Sequence, residues 1–119
     1  MTACLKILIH ARLLIGARRL EGSRNGNIVP CRLWCGGQSR GGQRPKSDPY
    51  GSIWIPGHGT VRTHVAAAWV AGVIPGLRVP AGMHLDHTCE RPLCIEPSHF
   101  DLVPGRLNLE RRWTRRQAA

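Results

Sequence analysis

Apolar positions along this chain fall into a helical block, then short runs broken by glycine and proline, then a strand-like pattern. Residues 1–19 (MTACLKILIHARLLIGARR) are apolar almost all round a helical wheel and hold no acid. They predict one helix over about 5–20, stopped by the Gly22-Ser23-Arg24-Asn25-Gly26 breaker cluster, with no face singled out for packing. His10 and Arg12 interrupt the apolar stretch, which disfavours a secretory signal; the acid-free, Arg-containing character leaves a mitochondrial transit peptide as a minority reading. Residues 28–35 form a short apolar segment carrying Cys31 and Cys35, and 36–49 read as a solvated loop with Arg40, Arg44 and Lys46.

The β-rich runs 50–55 and 60–65 flank Pro56-Gly57-His58-Gly59, the pattern of a hairpin. Residues 66–71 suit a short helix stopped by Gly72 and Pro75. Strands are expected at 83–87 and 100–103, separated by turns at Pro92 and Pro97, and Pro104 opens a helix over 105–116. The C-terminal half thus ends strand–loop–strand–helix. The expected class is a small α+β domain: a helical arm over 1–27, then a domain over 28–119 with a basic tail. Trp34, Trp54 and Trp69 are assigned to the core, and His64 to a hydrogen-bonded core position.

Composition sharpens this picture. At 119 residues the chain is too short for a multidomain enzyme, and its 23 glycines and prolines call for a metal or disulfide staple. Seventeen Lys+Arg against seven Asp+Glu give a net charge of +10, which points to a polyanionic partner. Fifteen of the 17 are arginine, whose planar fork matches phosphate oxygens. No apolar run is long enough to span a membrane, so the expected setting is intracellular: cytoplasmic in a prokaryote or phage, nuclear or organellar in a eukaryote.

The chemistry concentrates between residues 86 and 108, where Asp86, His87, Cys89, Cys94, His99 and Asn108 occur. Cys89-x4-Cys94-x4-His99 brings soft ligands back on one ion through tight turns. A closed zinc site wants a fourth ligand; Cys31 and Cys35 are the candidates, with Cys31 the better placed ahead of Trp34 and the Gly36-Gly37 turn. The odd cysteine count and the interleaved histidine weigh against a disulfide. Zinc leaves Asp86, His87 and Asn108 unexplained. A carboxylate and an amide oxygen suit Mg²⁺, beside an imidazole able to take a proton near neutral pH; on a +10 chain that combination matches metal-assisted phosphodiester hydrolysis.

Asp86-His87-Thr88-Cys89, Cys94-Ile95-Glu96-Pro97-Ser98-His99-Phe100 and Asn108 resemble the HNH/His-Me finger (ββα-metal) nucleases, above all their zinc-stapled homing-endonuclease and phage branches. The likeness covers about residues 28–112 and includes Cys31-x-x-Trp34, the segment with His64, and Gly72-x-Ile74-Pro75. The resemblance implies His87 as general base, Asn108 as the helix-borne Mg²⁺ ligand and Asp86 as the carboxylate that joins it. It implies His99 as a zinc ligand where many relatives carry a bracing asparagine, and products with 5′-phosphate and 3′-hydroxyl ends. A histidine base places the rise of activity at about pH 6–7.

The expected partner is double-stranded DNA, held by Arg44, Lys46, Arg62, Arg106, Arg111 and Arg112; a homodimer is compatible with one site cutting one strand. His84 alternates with Asp86 and could reach it, but no site role is assigned to it. The competing reading is a non-catalytic zinc-stabilised nucleic-acid-binding module, which would use the cysteines and arginines and have no need of His87 with Asn108. A ribosome-associated zinc protein is a third and weaker reading.

Overall fold

Trp34 is the residue around which the N-terminal half is wrapped. In the computed structural model, which describes residues 2–20, 27–40 and 49–118, its indole is 8% exposed and hemmed in by Gly16, Gly36 and Gly51. Three helices occur among the described residues: α1 (Thr2–Ile15), α2 (Thr63–Val70) and α3 (Gly105–Ala118). Strands β1 (Ala17–Arg19) and β2 (Arg32–Trp34) pair antiparallel. So do β3 (Gln38–Arg40) with β4 (Pro49–Ile55), β4 with β5 (Gly59–Arg62), and β6 (Met83–His87) with β7 (Phe100–Pro104). This is a small α+β fold of short antiparallel sheets, as the sequence predicts.

The first helix stops earlier than expected. Gly16 ends α1 with its N–H on the Arg12 carbonyl, and the chain turns at once into β1, whose partner lies in β2 (Ala17↔Trp34). A side chain at position 16 would run into the Trp34 ring, so close approach rather than turn propensity fixes that break. Ile9 and Leu13 are 1% and 3% exposed and join α2 in one core with Trp34, Ile55 and Trp69. Among the described residues no helix is long and apolar enough to cross a membrane.

The hairpin is present, with Ile55 opposite Gly59 and glycines 57 and 59 at φ 79° and 78°, the left-handed region that such a turn demands. Its second arm is shorter than predicted: β5 ends at Arg62 and α2 begins at Thr63, so His64 lies on a helix. The alanines at 66–68 favour helix strongly enough to recruit the β-branched residues before them. Trp54 is 59% exposed and outside the core, because β4 alternates and gives its inner face to Ile53 and Ile55. Gly51 sits under both Thr63 and Trp34; a methyl there would meet Thr63 Oγ1 and approach Trp34 Cδ1 to 2.5 Å. Gly51→Ala is therefore expected to cost about 1–3 kcal/mol and to lower Tm by about 5 °C or more in a thermal melt.

The C-terminal half reproduces the expected order. β6 and β7 pair in register from Met83↔Pro104 to His87↔Phe100, and α3 follows directly and packs on both strands.

Candidate metal centre and basic cleft

Four side chains of two ligand types, three thiols and an imidazole, converge beside β6. Cys31 precedes β2, Cys89 and Cys94 lie in the loop after β6, and His99 closes the short helical turn Pro97–His99 that feeds β7. Their ligand atoms all lie within 4.8 Å of one another, and all four side chains are buried. The loop is tightly built: Glu90 N–H donates to the His87 carbonyl and Cys94 N–H to the Arg91 carbonyl, each at 3.0 Å, with Glu90 at φ 59°. It is stitched to β2 by Ile95 N–H on the Arg32 carbonyl and Trp34 N–H on the Leu93 carbonyl.

The donor set fits zinc. Sγ of Cys31 and Sγ of Cys94 each stand 3.5 Å from His99 Nδ1. The sulfur–nitrogen edge of a tetrahedral zinc site is about 3.6 Å at ordinary bond lengths. His99 Nε2–H donates to the Val29 carbonyl at 2.6 Å, which leaves Nδ1 bare and turned to the sulfurs. A hydrogen bond from Cys94 holds the Cys89 thiol down to about 4, and the same contact pushes Cys94 up; burial pushes Cys31 up. Three thiols cannot all ionise in one buried spot unaided, and a divalent cation removes that conflict. This buried Cys31/Cys89/Cys94/His99 cluster could hold a structural zinc. Of the two candidates for the fourth position the structure selects Cys31; Cys35 is exposed, with its thiol 3.4 Å from the Leu33 carbonyl.

Beside the cluster, β6 and α3 border an open cleft of about 430 Å³ lined by Tyr50, His87, Asn108, Arg112, Arg115 and Arg116, among others. His87 Nε2–H donates to the carbonyl of Cys94 at 3.1 Å, which leaves Nδ1 as its proton acceptor. Burial lowers the His87 pKa from the ordinary histidine value; the Cys89 thiolate, the Cys94 carbonyl and Asp86 pull the other way without reversing it. Asn108 Nδ2–H donates to His84 Nδ1 at 2.9 Å, and its Oδ1 is buried with no hydrogen-bond partner among the described residues. His84 thus reaches Asn108 rather than Asp86.

Asp86 is placed differently from the expectation of an open metal ligand. It lines the same cleft and is 6% exposed, but Arg115 grips both its oxygens (3.1 and 3.0 Å) and Arg111 stands 3.4 Å away. Burial alone would raise this carboxyl; the Arg115 and Arg111 guanidinium groups outweigh it and hold the pKa below the ordinary value. Arg111 also binds Asp101 at 2.6 Å, the residue directly opposite Asp86 across the β6–β7 pair. Two carboxylates facing each other across a ladder repel, and the arginines of α3 neutralise them. The hard oxygens suit Mg²⁺ in kind. Of the expected oxygen pair, Asn108 Oδ1 is buried and unpaired among the described residues, whereas both carboxylate oxygens of Asp86 are occupied.

The basic residues separate accordingly. Arg112 is exposed on the cleft, Arg62 is exposed with its guanidinium 4.5 Å from the Tyr50 ring centroid, and Arg106 pairs with Glu110 at 3.5 Å. Arg111 is committed to the two aspartates, and Arg44 and Lys46 lie outside the described residues. Arg115 and Arg116, which border the cleft, belong with the cationic set as well.

No protein-family model, no curated protein and no solved structure matches this chain.

His64 is 5% exposed, its ring is 4.8 Å from that of His87, and burial, aided by His87 and Arg62, lowers its pKa to about 3. It therefore stays neutral in the fold and takes up a proton only on unfolding. Between about pH 6.5 and 3 the unfolded chain binds the extra proton, so this group withdraws stability as the pH falls through that window. At pH 5.5 the expected loss relative to pH 7 is about 1 kcal/mol. Melting curves at the two pH values should show the loss in the wild type and less of it in His64→Phe.

Proposed function

We propose that this chain is a metal-dependent DNA endonuclease, with β6, β7 and α3 forming a ββα-metal unit stapled by zinc. The observation that carries the reading is the pairing, in one arginine-rich cleft, of an imidazole whose Nδ1 is free to take a proton with a buried amide oxygen that has no partner. His87 Nδ1 draws the proton from an attacking water, and the Cys94 carbonyl holds the ring in the tautomer that allows it. Asn108 Oδ1, oriented by His84, would hold the Mg²⁺, with Asp86 joining once Arg115 turns from it to a phosphate oxygen. A bound Mg²⁺ supplies Lewis-acid stabilisation of the charge that builds on the phosphate and the departing 3′ oxygen. Arg112 and Arg116 give the cleft affinity for the backbone of double-stranded DNA.

The test is incubation of the zinc-loaded protein with supercoiled plasmid. Nicked or linear products with 5′-phosphate ends, formed with Mg²⁺ and abolished by EDTA, are expected. Salt-sensitive DNA binding without any cutting over a range of DNAs and divalent ions would sink the reading. It would favour a non-catalytic zinc-stabilised nucleic-acid-binding module instead, the alternative that the occupied Asp86 carboxylate speaks for.

A further inference from the structure

The cage around His87 contains one group that packing alone does not justify. His87 is tethered at Nε2 to the Cys94 carbonyl, and Phe100 meets its ring edge-on with centroids 5.1 Å apart and planes at 84°. On another side stands His64, centroids 4.8 Å apart and planes at 52°, itself packed near Tyr50 (5.4 Å) and Phe100 (6.3 Å). A phenylalanine would fill such a position without burying polar atoms. The chain instead buries an imidazole whose Nδ1 has no hydrogen-bond partner among the described residues, next to Thr63, whose Oγ1 is likewise buried and unpaired. Unpaired buried polar atoms are penalised, and those retained in a fold call for a reason beyond filling space.

We infer that His64 is a positioning residue for His87: its polar ring, set in the first turn of α2, holds the neighbouring imidazole in the one orientation that keeps Nε2–H on the Cys94 carbonyl and Nδ1 toward the cleft. The contact links the core helix to β6, two elements that approach here through side chains 23 positions apart in sequence. Tyr50 carries the connection outward, since it touches His64, lines the cleft and stacks beneath Arg62. The consequence for turnover rests on the endonuclease reading; the orientation of His87 does not.

Two measurements on the zinc-loaded full chain separate the two. In ¹⁵N-resolved imidazole spectra, the wild type should show His87 as a single Nε2–H tautomer. His64→Phe, which keeps an aromatic ring at the position and removes the nitrogens, should fold with an unchanged or raised Tm and lose that signature to averaging. On plasmid DNA with Mg²⁺, His64→Phe should lose about 10- to 100-fold in kcat with KM within about twofold, the scale of a misplaced reacting group. His64→Asn, whose amide nitrogen falls near the Nδ1 position, should recover part of both. A folded His64→Phe with the wild-type His87 spectrum overturns the inference, whether or not the chain cuts DNA. Should His64→Phe fail to fold, a folded His64→Asn in which His87 has lost its single tautomer overturns it equally. A wild type with the expected His87 spectrum but no cleavage of any DNA sinks the nuclease reading and leaves the positioning role standing.

Discussion

Cys94→Ser should fail to fold even in the presence of zinc. The domain has a modest core, and three of its most deeply buried side chains are the thiols of the cluster, Cys31, Cys89 and Cys94, at 0–1% exposure. Structural zinc contributes about 10–16 kcal/mol to small metal-dependent folds, as much as the whole net stability of a typical domain, about 5–15 kcal/mol. Cys94 is also the residue through which the loop after β6 is joined to β2, by its bridge to Leu33. Circular dichroism, thermal melting and zinc per chain measured by mass spectrometry check this together. Cooperative melting near the wild-type temperature would remove the staple from the account. Cys35→Ser is the matched control: its thiol is exposed and outside the cluster, so stability and zinc content should stay within experimental scatter of the wild type.

His87→Ala should reduce Mg²⁺-dependent plasmid cleavage by about 10²–10⁴-fold, the usual contribution of a positioned general base. DNA binding should survive, because the arginines that line the cleft are untouched. Asn108→Ala should also lose cleavage while keeping its zinc, since its side chain bonds to His84 and not to the cluster. The pH profile gives a second handle. Because burial lowers the His87 pKa, its ring remains neutral in acid where an ordinary histidine would be protonated. The acidic limb of the wild-type profile should therefore fall below about pH 6.5, lower than the unperturbed value expected from the sequence. Wild-type cleavage rates in both variants would refute the assignment of the cleft.

Local pattern made some features legible and left others hidden. The strand at Met83–His87 and the helix opening at residue 105 follow from alternation and proline punctuation, which act over a few residues. The zinc candidates follow from spacing for the same reason: tight turns constrain what four intervening residues can do. What escaped depends on neighbours distant in the chain. Gly16 reads as an ordinary helix residue until Trp34 is packed against it. Asp86 reads as an open ligand until Arg115, 29 positions later, swings onto it from α3. His84 pairs with Asn108 across 24 positions and His64 with His87 across a helix–strand contact, so neither role has a sequence signature. The start of α2 is hidden in the sequence because Thr63-His64-Val65 favours a strand by itself and is overruled by the alanines that follow.

Cys94 faces two ways, its side-chain sulfur into the knot and its backbone oxygen onto the imidazole of His87. With zinc in the cluster, the ring of His87 gains its fixed carbonyl partner only as the knot closes, so order in the cleft follows arrival of the ion. A chain short of the metal would lose the anchor of that ring together with its fold, rather than keep a formed cleft on a half-folded body.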